Sequence, residues 1–214
     1  MYCYYGQQGG TVFKMTPQGK VTTLHSFCFT EGRAPESALV QATDGNLYGT
    51  ANLGGNGGDG WCTAVFDPGC GTIFKVAVDT GLSTLVHTFD WTDGDRPTAA
   101  LIQGTNGNLY GTTPEGGSGN SDYALGTVFS QSFGAQPFVT MLPTSRAVGQ
   151  RVAILGSDLT GATSLTFNGT PATFTVVSST EISTTVPSGA TTGPVVVTTP
   201  SGALTSNVSF RIMN

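Results

Sequence analysis

The phrase LVQATDGNLYGTANLGG, from Leu39 to Gly55, returns as LIQGTNGNLYGTTPEGG from Leu101 to Gly117, a spacing of 62 residues. TLHSF, ending at Phe27, returns as LVHTF, ending at Phe89, with the same spacing. GTVFK at Gly10 returns as GTIFK at Gly71 and as GTVFS at Gly126. Such a repeat limits the fold severely, because one unit cannot bury its apolar face alone and stacked copies share a continuous core. Each period holds four short β-branched or aromatic runs, NLYGT, GTVFK, VTTLHSF and ALVQAT in the first copy, parted by Gly-rich, Asp-Gly or Asn-Gly turns. Four strands in about 60 residues predict one antiparallel sheet per unit, the organisation of a propeller blade, and no strong helical pattern competes with it. Asp44-Gly45 and Asn106-Gly107 fall between paired strands, where a tight turn needs the positive φ that these residues tolerate.

The phrases GTVFKMTPQG, TLHSF and LVQATDGNLYGT, with the Gly-Gly after them, resemble the bacterial tandem repeats called GloVer repeats. The resemblance runs from Met1 to about Phe133 and implies propeller-like architecture and placement in secreted or surface-anchored proteins. It brings no catalytic residues with it. The repeat is present as two and a half four-stranded units, whereas a closed ring takes at least about four blades. This leaves two expectations: the chain is a piece of a longer array, or it is a homo-oligomer in which several chains complete one propeller.

Composition changes at FGAQPF, where Pro137 marks a seam. From Val139 on, Thr, Val and Ser replace the Gly-Asn turns, and Cys, Trp and His disappear. The runs RVAILGS, SLTFNG, TFTVVS, EISTTVP, PVVVTT and NVSFRI are spaced by turns as in an all-β sandwich. The segment from about Pro137 to Ile212 is similar to the IPT/TIG family of immunoglobulin-like domains, most tellingly from Ile182 to Gly193. The resemblance implies a spacer or contact module. The expected fold is therefore all-β, with propeller-like repeats over residues 1–135 and an immunoglobulin-like β-sandwich over 136–214.

Eight Lys and Arg against thirteen Asp and Glu leave a formal charge of −5 and no basic stripe, so nucleic acid is not an expected partner. No run approaches the roughly 20 apolar residues of a membrane helix, so no membrane insertion is expected. MYCYYGQQGG lacks the basic and apolar regions of a signal peptide. Four cysteines in a Thr/Ser/Gly-rich chain fit an oxidising compartment, and the expected location is extracellular or at the cell surface.

GGNGGDGW, Gly54 to Trp61, matches both the dinucleotide pattern G-x-G-x-x-G and one copy of a calcium-binding nonapeptide. The next residues, CTAVFDPGCGTIF, offer no helix whose N-terminus could face a pyrophosphate, and the nonapeptide works only by stacking successive copies. The stretch reads instead as an interblade loop, seven residues longer than its counterpart before GTVFS. The extra length carries Cys62 and Cys70, whose bridge would remove about 2.5 kcal/mol of unfolded-state entropy. Cys3 and Cys28 are the other candidate pair, with three connectivities open, and no C-x-x-C supports a zinc site.

DWTDGDRP places Asp90, Asp93 and Asp95 within six residues, enough oxygens for calcium if the loop curls around it, or else a solvated turn. Trp61 and Trp91 fall in loops beside Asp59, Asp93 and Asp95. Exposed rings with neighbouring carboxylates suit a sugar, the ring covering a pyranose face; the alternative is that both tryptophans cap blade ends. His25 and His87 share one repeat position, which points to packing or hydrogen bonding rather than to half of a catalytic pair. G-x-S-x-G, H-E-x-x-H, S-x-x-K and P-loop patterns are all missing from the sequence.

The leading functional expectation is a non-catalytic binding module for glycans or another surface polymer. A structural subunit of a surface array or filament is the second reading. The third is a polysaccharide hydrolase or lyase using Asp93 or Asp95 as acid and base.

Overall fold

The computed structural model describes residues 8–55, 62–64, 67–117 and 125–213. All regular structure among these residues is β, and no helix among them is long and apolar enough to cross a membrane. The chain divides into two compact units, Met1–Gln103 with Leu109–Phe133, and Gly104–Asn108 with Gly134–Asn214.

In the first unit, β1 (Gln8–Met15) and β2 (Val21–Cys28) form an antiparallel pair. Next come β3 (Val40–Gln41), β4 (Leu47–Ala51), the small hairpin β5 (Thr63–Ala64) and β6 (Asp67–Pro68), β7 (Thr72–Val76) and β8 (Ser83–Thr88). Strands β3, β4, β7 and β8 make one four-stranded antiparallel meander in that order. A third sheet repeats three of its strands as β9 (Ile102–Gln103), β10 (Leu109–Thr113) and β11 (Thr127–Gln131). The expected four-strand unit is thus realised, cut between the TLHSF-type strand and the LVQAT-type strand. Val40 pairs with Tyr48 across the Asp44-Gly45 turn, as the turn chemistry predicts.

Alternation along each strand divides its residues between two faces. Phe74 and Val76 of β7 point to the first sheet, where they are buried with Val12 and Phe27. Ile73 of β7 and Tyr48 of β4 point to the third sheet, where they are buried with Leu109 and pack against half-buried Phe129. The aromatic contact recurs with the repeat: Phe27 and Phe74 have ring centroids 4.6 Å apart, and their equivalents Phe89 and Phe129 are 5.1 Å apart. Each buried ring contributes on the order of 2 kcal/mol in transfer free energy.

The second unit is a sandwich of two antiparallel sheets. One holds β12 (Thr140–Leu142), β14 (Arg151–Leu155), β18 (Glu181–Thr185) and β17 (Phe174–Ser178). The other holds β16 (Thr170–Pro171), β15 (Ser164–Phe167), β19 (Val195–Thr199) and β20 (Gly202–Thr205). A short parallel pair, β13 (Ser145–Ala147) with β21 (Arg211–Met213), completes the unit. Ile154 and Ile182 from the first sheet meet Leu165, Phe167 and Val197 from the second, with Phe210 edge-on to Phe167. The alternating burial of β14, β18 and β19 is what the period-2 pattern of the sequence predicts.

Candidate functional site

The loops after β2 and β8, residues 28–35 and 90–97, are the same structure built twice. His25 Nε2 lies 3.0 Å from Glu31 Oε2, and His87 Nε2 lies 2.6 Å from Asp93 Oδ2. Both acids sit six residues after their histidine. Each acid also accepts the backbone N–H that opens its loop, Glu31 from Cys28 at 3.4 Å and Asp93 from Asp90 at 3.0 Å. Each imidazole stands edge-on to the next phenylalanine, with centroids 4.9 Å apart in both copies. The recurring histidine is a hydrogen-bonding element that clamps a strand to the loop that leaves it.

The clamped loop then fastens onto the next sheet. Thr72 Oγ1 of β7 donates to the Glu31 carbonyl at 2.9 Å, and Thr127 Oγ1 of β11 donates to the Asp93 carbonyl at 2.9 Å. Arg33 N–H donates to Leu53 O at 2.7 Å, and its equivalent Asp95 N–H to Glu115 O at 2.9 Å. Ala34 and Arg96 hold φ of 53° and 56°, the left-handed region that side chains avoid, in both copies alike. The glycine of the GTVF-type motif is required by this strap. Gly10 and Gly71 have φ of 114° and 93°, and a Cβ on either would stand 2.5 Å from the strap proline, Pro35 or Pro97.

Between β4 and β7 lies the long insertion. Cys62 and Cys70 form a disulfide with Cα atoms 5.1 Å apart, and both are buried against the core that includes Tyr48, Ile73 and Phe89. Gly69 N–H donates to Cys62 O at 2.6 Å, and Arg96 N–H donates to Cys70 O at 3.0 Å, which seats the insertion on the strap. Cys28 is also disulfide-bonded. Its expected partner Cys3, like Asp59 and Trp61, lies outside the described residues.

The three clustered aspartates have three different side-chain partners. Asp90 Oδ1 accepts from the Thr92 hydroxyl at 2.6 Å and from Thr92 N–H at 3.0 Å. The Thr92 hydroxyl, against the opposing effect of burial and with help from the backbone N–H groups of Asp93 and Thr92, holds the Asp90 carboxyl below the ordinary range. Asp93 is engaged with His87, and Asp95 is buried beside Arg96, 3.7 Å from its Nε. Among the described residues no three His, Cys, Asp or Glu side chains gather as metal ligands. The sequence spacing that suggested calcium is used for a turn, a clamp and a strap.

Trp91 occupies the strap with a φ of 73°, its side chain half-buried against the core between the second and third sheets. Its carbonyl accepts from Gly117 N–H at 2.7 Å, the counterpart of Phe29 accepting from Gly55. A third polar cluster supports the hairpin turn: Asp44 accepts from the Tyr48 hydroxyl at 2.8 Å and the Asn46 side chain at 2.7 Å. Burial pushes the Asp44 carboxyl up, but bonds from Asn46 and Tyr48 and the charge of Lys75 outweigh it and hold the group below its ordinary value. Burial and the Asp44 carboxylate push the Tyr48 phenol well above its ordinary range.

Sequence reasoning found the loop, the insertion and the structural role of the histidines. It missed that Glu31 and Asp93, which share one repeat position, are the partners of His25 and His87. The constant six-residue offset of these acids from His25 and His87 was the available signal.

Comparison with known proteins agrees with the repeat and the sandwich. No curated protein matches the chain. Among solved structures, the chain is similar to a copper-bound fungal alcohol oxidase of the AA5 family, at 15% identity and a TM-score of 0.36, covering 91% of this chain and 45% of that one. It is similar also to SGBP-B from a xyloglucan utilization locus in Bacteroides uniformis, at 15% identity and a TM-score of 0.31, covering 81% of this chain and 48% of that one. The chain thus spans about half the length of either structure, and scores this low carry no functional argument. The Gloeobacter/Verrucomicrobia repeat matches residues 4–155 and the IPT/TIG domain matches residues 137–212. The chain belongs to the Gloeobacter/Verrucomicrobia repeat family and carries an IPT/TIG domain of immunoglobulin-like fold.

Proposed function

We propose that this protein is a non-catalytic binding module acting outside the cell or on its surface, with a glycan or another surface polymer as its ligand. The observation that carries the reading is the Cys62–Cys70 insertion, which makes this loop seven residues longer than its counterpart in the next repeat and is closed covalently and seated on the Trp91 strap. Inserted loops on a rigid scaffold are where binding concentrates. The disulfide favours an oxidising compartment. The ionisable groups that could have supplied acid and base are engaged elsewhere, Asp93 with His87 and Asp95 beside Arg96. In this reading the repeat sheets form a propeller-like scaffold, Trp91 offers the edge of a stacking surface, and Trp61 and Asp59 belong to the same insertion by sequence.

The test is a polysaccharide and glycan array followed by calorimetry on any hit. Wild type is expected to bind, and Trp91→Ala and deletion of residues 56–61 are each expected to weaken binding by about tenfold or more, the size of one lost aromatic contact. A folded wild-type protein that binds nothing on the array, or a hit unaffected by both changes, overturns the assignment.

A further inference from the structure

The two ends of the stacked sheets carry apolar faces whose positions are buried in the middle sheet. In that sheet the face of Tyr48, Thr50 and Ile73 is covered by the third sheet, with Tyr48 and Ile73 at 1% and 0% exposure. One repeat later these positions are Tyr110, Thr112 and Val128, and Val40 becomes Ile102. On the third sheet Val128 is 83% exposed and Ile102 is 65% exposed, and Thr112 is exposed as well. At the other end, Phe13 and Met15 of β1 are the equivalents of Phe74 and Val76, which are 1% and 0% exposed against the first sheet. Phe13 is 57% exposed and Met15 65%, and Val21, paired with Met15, extends the same face.

The two faces are therefore complements rather than copies of each other. Within the chain, the Tyr48/Ile73-type face of one sheet always meets the Phe74/Val76-type face of the next. We propose that the Ile102/Val128 face of this protein docks the Phe13/Met15 face of a second copy of the chain, continuing the stack head to tail. The occupant is set by the contact already made twice: the exposed residues at each end stand where the interior contact has apolar residues, and the complementary set is displayed by the same molecule. All four of these end positions keep an apolar side chain, so neither face carries a charge that would oppose the contact at its centre. A heterologous contact of this kind generates a ring where the rotation closes and an open chain where it does not.

The test uses the full chain in light scattering across a concentration series. The expected result is a mass that is a multiple of 21.9 kDa or climbs with concentration. Two variants each remove one face, Phe13→Glu with Met15→Glu, and Ile102→Glu with Val128→Glu; all four side chains are exposed, so circular dichroism is expected to match wild type. Each variant alone is expected to be a monomer. Mixed in equal amounts, they are expected to form a dimer and nothing larger, because each keeps the one face the other lacks. A wild-type monomer at every concentration overturns the proposal, as does a wild-type oligomer that either variant leaves intact. A single-face variant that still pairs with itself shows a two-fold contact and overturns it too.

Discussion

Phe13, Phe74 and Phe129 occupy one repeat position, and truncating each to alanine separates burial from sequence identity. Phe74 is 1% exposed and packs on Phe27 at 4.6 Å, so its loss removes a full ring from between two sheets and leaves a cavity. The cost is about 3 to 5 kcal/mol. Phe129 is half-buried against Phe89, and its loss is expected to cost about half as much. Phe13 is 57% exposed and is expected to cost under about 1 kcal/mol. Guanidinium unfolding followed by tryptophan fluorescence reads this directly, because both tryptophans lie before Phe133 and the signal excludes the sandwich. Protein is kept dilute so that contacts between chains do not contribute. Equal losses at the three positions, or a loss at Phe13 as large as at Phe74, would refute the assignment of faces.

The polar geometry sets three more outcomes. His25→Ala and His87→Ala are each expected to cost about 1 kcal/mol, with nearly additive effects in the double variant because the two clamps share no partner; chemical denaturation of the set checks this. Asp44 and Asp90 are held below their ordinary values, so each contributes stability that is full above the unfolded value near pH 4 and is lost as pH falls through the folded one. Melting temperatures between about pH 5 and pH 2 should therefore fall less steeply in Asp44→Asn, whose repeat equivalent is already Asn106, than in wild type. Replacing both Cys62 and Cys70 with alanine is expected to lower stability by about 2.5 kcal/mol from loop entropy alone, and fluorescence-detected melting without reductant measures it.

Much of the fold was legible in advance because the signals were local and repeated. Asp44-Gly45 announced a hairpin and Val40 does pair with Tyr48 across it; the alternation of Val152 and Ile154 in β14 and of Ile182 and Thr184 in β18 announced a sandwich face. The cut between sheets was harder to see, since TLHSF and LVQAT read equally well as the end of one unit or the start of another. What decides it is the strap, residues 28–35 and 90–97, and its hold on Thr72 and Thr127 depends on backbone carbonyls that carry no sequence signature. The aspartate cluster was ambiguous between a cation loop and a solvated turn for a related reason. Carboxylates at Asp90, Asp93 and Asp95 have a calcium-like spacing, yet Asp90 is bonded to Thr92, Asp93 to His87, and Asp95 lies beside Arg96.

The most direct test of the functional reading is to hold one bound polysaccharide with the protein and follow both binding and chain length, by calorimetry and by reducing-end release. The expected result is saturable binding with a polymer that stays intact through prolonged incubation. Shortening of the polymer that disappears in Asp93→Asn would contradict it and make the strap an active site.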